Sequence, residues 1–269
     1  MGEGPRFMQE LGGIKDKADK NGQPKPVEIR SVETLFPGSP GEQTISQNKD
    51  IFFKRNTIKQ LCPACAATAL FSAQLTGAGC GAGHRVGMAG AGPLYIMPLG
   101  QTLWESVMLA LCTGLEYPEE YPSEPKHLLA WVAPTQTSVN TTQTSTVKEI
   151  VPRLKMHPDH VYWPMSQRRE LIAVEESGHC SVCERETGTL IRSLKTTGGG
   201  MLYAGGGWEH PHIPYSKPNK GEANSIKAKS HLAAYAHMIP FLVGRGGKKA
   251  LQPPKVVSRI QASMARNSR

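Results

Sequence analysis

Two pairs of cysteines and a run of glycines carry the chemistry that this sequence offers. Cys62-Pro63-Ala64-Cys65 and Cys180-Ser181-Val182-Cys183 each place two thiols in C-x-x-C spacing. Four thiolates close a tetrahedral shell around zinc and leave no open position for a substrate water, so such a centre is structural. Roughly 115 residues separate the pairs, against about 15–20 in a zinc ribbon. The metal would therefore pin two distant segments together. The alternative is two unrelated pairs, one of them redox active. A thioredoxin-type pair belongs after a strand in a βαβ pattern, and the sequence shows no such pattern. Cys80 and Cys112 stand alone.

Between the pairs, Gly77, Gly79, Gly81, Gly83, Gly87, Gly90 and Gly92 punctuate one loop, with His84 and Arg85 inside it. Glycine lets backbone approach a ligand closely, and exposed N–H groups in such a loop bind phosphate. The spacing is neither a Walker loop nor a dinucleotide fingerprint, which argues against nucleotide hydrolysis. A flexible surface connection is an equally good reading. Trp208-Glu209-His210-Pro211-His212 offers a further metal possibility. A zinc enzyme would use His210, His212 and a cysteine pair around an open site. Pro211 fixes the geometry there and no third ligand suggests itself, so a structural corner is favoured.

The elements that must position these groups are modest. With 269 residues the chain can bury a real core in one or two domains, and its 28 Gly and 21 Pro predict long irregular connections. A short strand is expected over Val27 to Val32 and a short helix over Ser31 to Phe36, capped by Ser31. Ile51 to Arg55 reads as a strand, with Phe52, Phe53, Lys54 and Arg55 as its stacking and phosphate-contacting alternative. An Ala-rich helix is expected from Ala66 to Leu75, and a strand from Pro93 to Pro98. Thr102 and Glu105 form a capping box for a helix running to Gly114, with Leu103, Trp104, Val107, Met108 and Leu111 as its apolar face. A Thr/Gln/Ser-rich insertion occupies about 134–149. Leu171 to Val174 is strand-like, and Leu190 to Tyr203, with Gly198-Gly199-Gly200 inside, reads as a hairpin. An apolar segment over Leu232 to Val243 and a basic helix over Val256 to Met264 close the chain.

Charge divides the sequence at residue 222. Nine of its 31 Lys and Arg residues follow Glu222, and no Asp or Glu does, leaving 22 basic groups against 22 acids before it. Such a tail points to a polyanion, held by phosphate neutralisation and counterion release; a solvated basic end is the alternative. The expected division is a recognition domain over 1–222 and a basic segment over 223–269. No apolar run reaches the length of a membrane span, and the N-terminus has no secretory pattern. A soluble, cytoplasmic protein without membrane contact is expected.

Arg6-Phe7-Met8-Gln9, Leu61-Cys62-x-x-Cys65-Ala66-Ala67-x-Ala69-Leu70-Phe71, the glycine loop, Cys180-x-x-Cys183 and Trp208-x-His210-Pro211-His212 follow one another in a familiar order. The chain resembles the CasA family, the large subunit of the type I-E CRISPR interference complex Cascade. The resemblance implies an α+β, loop-rich N-terminal domain with one four-cysteine zinc site. It implies a subunit without catalysis of its own, which reads the protospacer-adjacent motif from the minor groove of target double-stranded DNA and supports R-loop formation in antiviral defence. The partners implied are crRNA, target DNA, other Cascade subunits and a helicase-nuclease or other effector nuclease. The family's zinc-holding cysteines map onto Cys62, Cys65, Cys180 and Cys183, and its glycine loop onto Gly77 to Gly83, with His84 and Arg85 beside it. The loop that meets neighbouring subunits and the crRNA handle maps onto Ile51 to Arg55. Lys195 is the nearest candidate for the family's hairpin lysine, although Gly199 competes for that position. The family's segment before Phe7 and its C-terminal four-helix bundle have no counterpart here, as expected of a compact, split or truncated subunit, and its glutamine wedge has no assigned position in this sequence. The remaining alternative is a scaffold that binds crRNA and neighbouring subunits without touching duplex DNA.

Overall fold

The computed structural model describes residues 4–18, 24–36, 38–51, 55–77, 84–87, 89–90, 92–111, 129–132, 151–152, 162–201, 203–204, 209–218, 223–227, 238–247 and 249–267. These fall into two compact units. The first takes residues 1–88, 125–151 and 159–203; the second takes 89–124, 152–158 and 204–269.

In the first unit the strand pair β1 (Lys17–Ala18) and β2 (Pro24–Lys25) precedes β3 (Glu28–Ser31). Ser31 then caps a single 3-10 turn, Val32–Leu35, by accepting from the Glu33 N–H, as its sequence signature predicts. A one-turn helix, α1 (Glu42–Ser46), follows. The expected strand over Ile51 to Arg55 is not formed at its described ends: Ile51 and Arg55 both lie in turns, and residues 52–54 lie outside the described set. Arg55 instead folds back on Asp50, Asn48 Oδ1 and the Ile45 carbonyl, tying its own loop together.

Helix α2 spans Pro63–Thr76, a full turn earlier than its Ala-rich core suggests. Cys62 is its N-cap and Pro63 occupies the first turn, where a missing N–H costs nothing. Its buried stripe comprises Ala66, Ala69, Leu70, Ala73, Gln74 and Leu75.

The central feature is a hairpin of two twelve-residue strands, β5 (Arg168–His179) and β6 (Glu186–Thr197), following the two-residue strand β4 (Val151–Pro152). Its turn holds the second cysteine pair. The expected hairpin over Leu190 to Tyr203 is therefore wrong in register. Leu190 to Thr197 is the return strand of a hairpin that began at Arg168, and the triple glycine merely ends it. Gly200 sits so close to Ser166 that a Cβ would fall 2.0 Å from its carbonyl oxygen. β3 adds to the outer edge of β6, giving the sheet order β3-β6-β5. Phe7, Phe71, Trp131 and Trp163 form a cluster of edge-to-face and tilted rings with centroids 5.1–6.3 Å apart.

In the second unit, after β7 (Tyr203–Ala204) near the division, β8 (Tyr215–Pro218) pairs with both β9 (Asn224–Ser225) and β10 (Lys249–Gln252). The expected strand over Pro93 to Pro98 does not form. The segment is bonded at alternate residues to two different partners, Leu94 N–H to the Ile226 carbonyl and Ile96 N–H to the His212 carbonyl, so no single ladder develops. Helix α3 (Leu103–Ala110) starts with the predicted capping box, both halves formed. It stops at Leu111, whose ψ of 134° takes the chain out of the helix before Gly114. Its expected apolar face is not buried: Leu103 and Trp104 are 81% and 70% exposed, and Val107, Met108 and Leu111 are also exposed. Helices α4 (Met238–Val243) and α5 (Lys255–Asn267) complete the unit. The basic helix expected near the C-terminus is thus present and one turn longer. The Thr/Gln/Ser-rich insertion lies outside the described residues.

Candidate metal centre and its surroundings

Four backbone and side-chain devices bring the two cysteine pairs together. Glu33 accepts from the N–H groups of Asn56, Thr57 and Ile58, fixing the approach to the first pair. Leu61 exchanges both backbone hydrogen bonds with Ile191 of β6, each 2.9 Å. Ser181 accepts from Lys59 N–H and Gln60 N–H through its hydroxyl and donates its own N–H to the Gln60 carbonyl. Gln60 in turn reaches the His179 carbonyl. The residue before the first knuckle is therefore paired with the return strand of the hairpin whose tip is the second. Glu184, at φ 60°, closes that tip by donating its N–H to the Cys180 carbonyl.

The result is a compact cluster. The sulfurs of Cys62, Cys65, Cys180 and Cys183 all lie within 4.8 Å of one another, and Cys62 and Cys183 are 3.8 Å apart. Zinc–sulfur bonds of about 2.3 Å in a tetrahedron give edges of about 3.8 Å, so the donor set fits a tetrahedral ion. A disulfide would need sulfurs about 2.05 Å apart, and all four thiols are free. Burial and hydrogen bonding with Cys62 push the Cys65 thiol up to about 12. Burial also opposes ionisation of Cys180, but the N–H groups of Cys183, Cys62 and Val182 bring it down to about 6. Without a cation the cluster thus favours one thiolate and penalises the next, chiefly through burial and thiol hydrogen bonding, with the charge on Cys180 adding to it. A dication removes that conflict. Cys62 and Cys65 also sit at the N-terminus of α2, where the helix dipole favours negative sulfur.

The glycine loop is described at its two ends. Gly77 terminates α2, where a Cβ would fall 2.3 Å from the Ala73 carbonyl oxygen. Gly87 donates its N–H to the Gly77 carbonyl at 2.7 Å, and a Cβ there would fall 2.5 Å from the Leu75 backbone. These two glycines therefore serve the loop's own closure. Gly79, Gly81 and Gly83 lie outside the described residues. Gly87→Ala is expected to destabilise the chain by about 1–3 kcal/mol. Gly188→Ala, with nothing within 4 Å of the added carbon, is expected to stay within about 0.5 kcal/mol. Paired urea titrations compare the two.

The candidate cations converge on the open end of the same hairpin. The Arg85 carbonyl accepts from the Gln167 side chain at 2.9 Å, just before β5 begins. His84 Nε2 lies 4.0 Å from Glu28 on β3, and Lys195 Nζ lies 3.5 Å from Glu170 on β5. Glu170 also accepts from Arg6 and from the Ile14 N–H. Burial works against its charge, but these donors and Lys195 hold the carboxyl below its ordinary range. Both candidate side chains thus already have carboxylates beside them. Of the other predicted contact residues, Phe52, Phe53 and Lys54 lie outside the described set and Arg55 is engaged within its loop.

His210 and His212 form the structural corner that Pro211 suggested, in the turn before β8. Both rings are buried, and His212 turns both nitrogens to backbone carbonyls rather than to a shared ligand position. Sequence reasoning missed Gln74, the polar member of the α2 stripe. Its amide donates to the Gln167 and Met8 carbonyls and its oxygen accepts from Gln167 N–H. A glutamine on an otherwise apolar helical stripe is the signal that could have found it.

Residues 1–269 match the family described as CRISPR-associated protein Cse1 (CRISPR_cse1). The chain belongs to the Cse1 family. It is also similar to the crystal structure of CasA from Thermus thermophilus, with a TM-score of 0.53 at 14% identity over 97% of this chain. The chain spans 45% of the Thermus protein's length. The likeness supports the mixed helix-and-strand fold expected from the CasA resemblance. No helix among the described residues is long and apolar enough to cross a membrane.

Proposed function

We propose that this chain is the non-catalytic, DNA-recognising subunit of a type I-E CRISPR interference complex, built around one structural zinc held by Cys62, Cys65, Cys180 and Cys183. Family membership over the whole sequence is the observation that carries this reading. Zinc would supply cross-linking, holding the α2 N-terminus to the hairpin tip. The glycine loop, with Gly77, Gly79, Gly81 and Gly83, and the polar groups His84, Arg85 and Lys195 then face target double-stranded DNA beside the protospacer-adjacent motif. The convergence of Arg85, His84 and Lys195 at one end of the hairpin supports that placement. The basic residues after Glu222 add electrostatic capture. Sequence beyond the motif is read by crRNA pairing, as in other RNA-guided systems. Other Cascade subunits and crRNA meet the chain near Ile51 to Arg55, and a helicase-nuclease or other effector nuclease completes the system.

The carboxylates beside His84 and Lys195 favour one other reading, a scaffold subunit in which these side chains are structural. Replacing Gly79 or Gly81 by tryptophan in the reconstituted ribonucleoprotein separates the two. The DNA-reading account expects duplex affinity to fall at least tenfold while assembly with crRNA and the other subunits is unchanged. Unchanged duplex affinity in an assembled complex contradicts it.

A further inference from the structure

A helix as short as α3 is marginal in water unless an apolar face packs on something. Leu103, Trp104, Val107 and Met108 share one side of it, yet none of its residues is buried. The helix is held by its ends. The Thr102–Glu105 capping box closes the first turn. At the other end Arg259 of α5 donates Nη1 to the Leu111 carbonyl and Nη2 to the Leu109 carbonyl, the latter at 2.6 Å. His212 Nε2 lies 3.0 Å from the Ala110 carbonyl between them. These polar ties draw the end of α3 to α5 without covering the apolar side of α3. α5 buries Val256 and Val257 in its first turn, and every residue from Gln261 to Asn267 is exposed.

The two helices line a groove of about 490 Å³, with Met108, Ile260 and Met264 as its apolar lining and Arg259 and Arg266 beside them. Trp104 stands one turn before Met108 on the same side of α3 and is exposed, as is Met264. The groove is basic as well as apolar. No residue after Glu222 is acidic, so α5 offers no carboxylate. The one acid of α3, Glu105, is turned to the N–H groups of Gln101 and Thr102 at the opposite end of the helix. α3 itself has no lysine or arginine, so the cations stand on the α5 wall alone.

We propose that this groove docks an amphipathic helix of a neighbouring protein subunit, with an apolar stripe over Trp104, Met108, Ile260 and Met264 and carboxylates along the edge that meets α5. The origin of that helix in the same complex rests on the function proposed above. Side chains of two adjacent helices form ridges and grooves that a third helix fills, and methionines adapt to the side chains that enter. An exposed tryptophan beside such a groove is the type of anchor that dominates interfaces. Carboxylates on the incoming helix answer the one-sided positive charge. A nucleic acid strand calls for cations along its track and successive stacking rings, and the α3 wall offers Trp104 alone. A second copy of this chain would set one basic α5 against another, which like charges oppose.

The test uses the reconstituted ribonucleoprotein, with Met108 replaced by photo-reactive benzoylphenylalanine. The expected crosslinks map to one helical segment of another protein subunit, with acids spaced three or four residues apart along it. Crosslinks to crRNA, to target DNA, to a second copy or to another segment of this chain overturn the proposal, as does the lack of any crosslink in an assembled complex. Association of the purified chain with the complex assembled without it gives the second measurement. Trp104→Ala is expected to weaken association by about thirtyfold and Met108→Asp by roughly tenfold or more. Arg266→Glu is expected to cost about threefold to tenfold, a loss that shrinks at high salt. All three side chains are exposed, so thermal unfolding of the variants should match wild type. Val174→Ser, at an exposed apolar position of the first unit, should associate like wild type. Unchanged association of Trp104→Ala and Met108→Asp overturns the proposal. A complex that crosslinks as expected but shows no preference for the correct flanking motif keeps the docking site and removes the DNA-reading role.

Discussion

Cys180→Ser is expected to unfold the hairpin tip and release the N-terminus of α2 in one step. Cys180 is buried and its sulfur is one of four within 4.8 Å. The segments meeting there are otherwise joined by the Leu61–Ile191 exchange and the Ser181 and Gln60 bonds. Structural zinc contributes an apparent 10–16 kcal/mol in small zinc-binding peptides, and whole domains are stable by only about 5–15 kcal/mol. Losing one ligand therefore removes a quantity comparable to the entire stability of the unit. The check is metal content with thermal unfolding, for wild type, the serine variant and chelator-treated wild type. Cobalt substitution should give sulfur-to-cobalt charge-transfer bands that the variant weakens. A serine variant that melts like wild type would mean that the cluster is an ordinary contact among thiols.

The second large effect is expected from Gln74→Leu. The substitution keeps roughly the same volume and makes the α2 stripe wholly apolar, so a simple view of the core would welcome it. Gln74 is fully buried, however, and it bonds both the N–H and the carbonyl of Gln167, at 2.7 and 2.6 Å. Gln167 is itself 2% exposed, so water cannot replace the lost partners. Each stranded backbone group costs about 1–3 kcal/mol, giving a loss of about 2–5 kcal/mol. Urea unfolding with an unchanged slope and a lowered midpoint measures it. A loss below about 0.5 kcal/mol would show that the Gln74 bonds are incidental.

Local signals in the sequence found the local structure. Thr102 and Glu105 named the α3 capping box, and Ser31 named the turn at Val32, because caps depend on neighbours three residues away. Long-range decisions were not legible in the same way. Leu190 to Thr197 looked like the first arm of a hairpin because Gly198-Gly199-Gly200 resembles a turn. Its partner was already behind it, reached through the cysteine pair at residues 180–183, and nothing local distinguishes an outgoing strand from a returning one. Leu94 to Met97 has the composition of a strand, but its hydrogen bonds go to two separate segments. The apolar residues of α3 form a stripe of the kind that usually faces a core. The structure holds that helix by its ends instead, through His212 and Arg259, whose distance along the chain hides the contact. The cysteine cluster itself was legible from spacing and redox chemistry, whereas the devices that close it, Leu61 against Ile191 and Ser181 against Gln60, have no motif.

The central claim is that this chain makes its Cascade read the motif flanking a target. The measurement is duplex-DNA affinity of the reconstituted ribonucleoprotein with and without the chain, on matched targets bearing correct or scrambled flanks. Minor-groove readout is degenerate, so several related flanks should support binding. The account predicts that affinity for a correct flank exceeds that for a scrambled one only when the chain is present. Equal affinities with and without it would contradict the account and leave a scaffold that has kept the fold and its cysteine cluster.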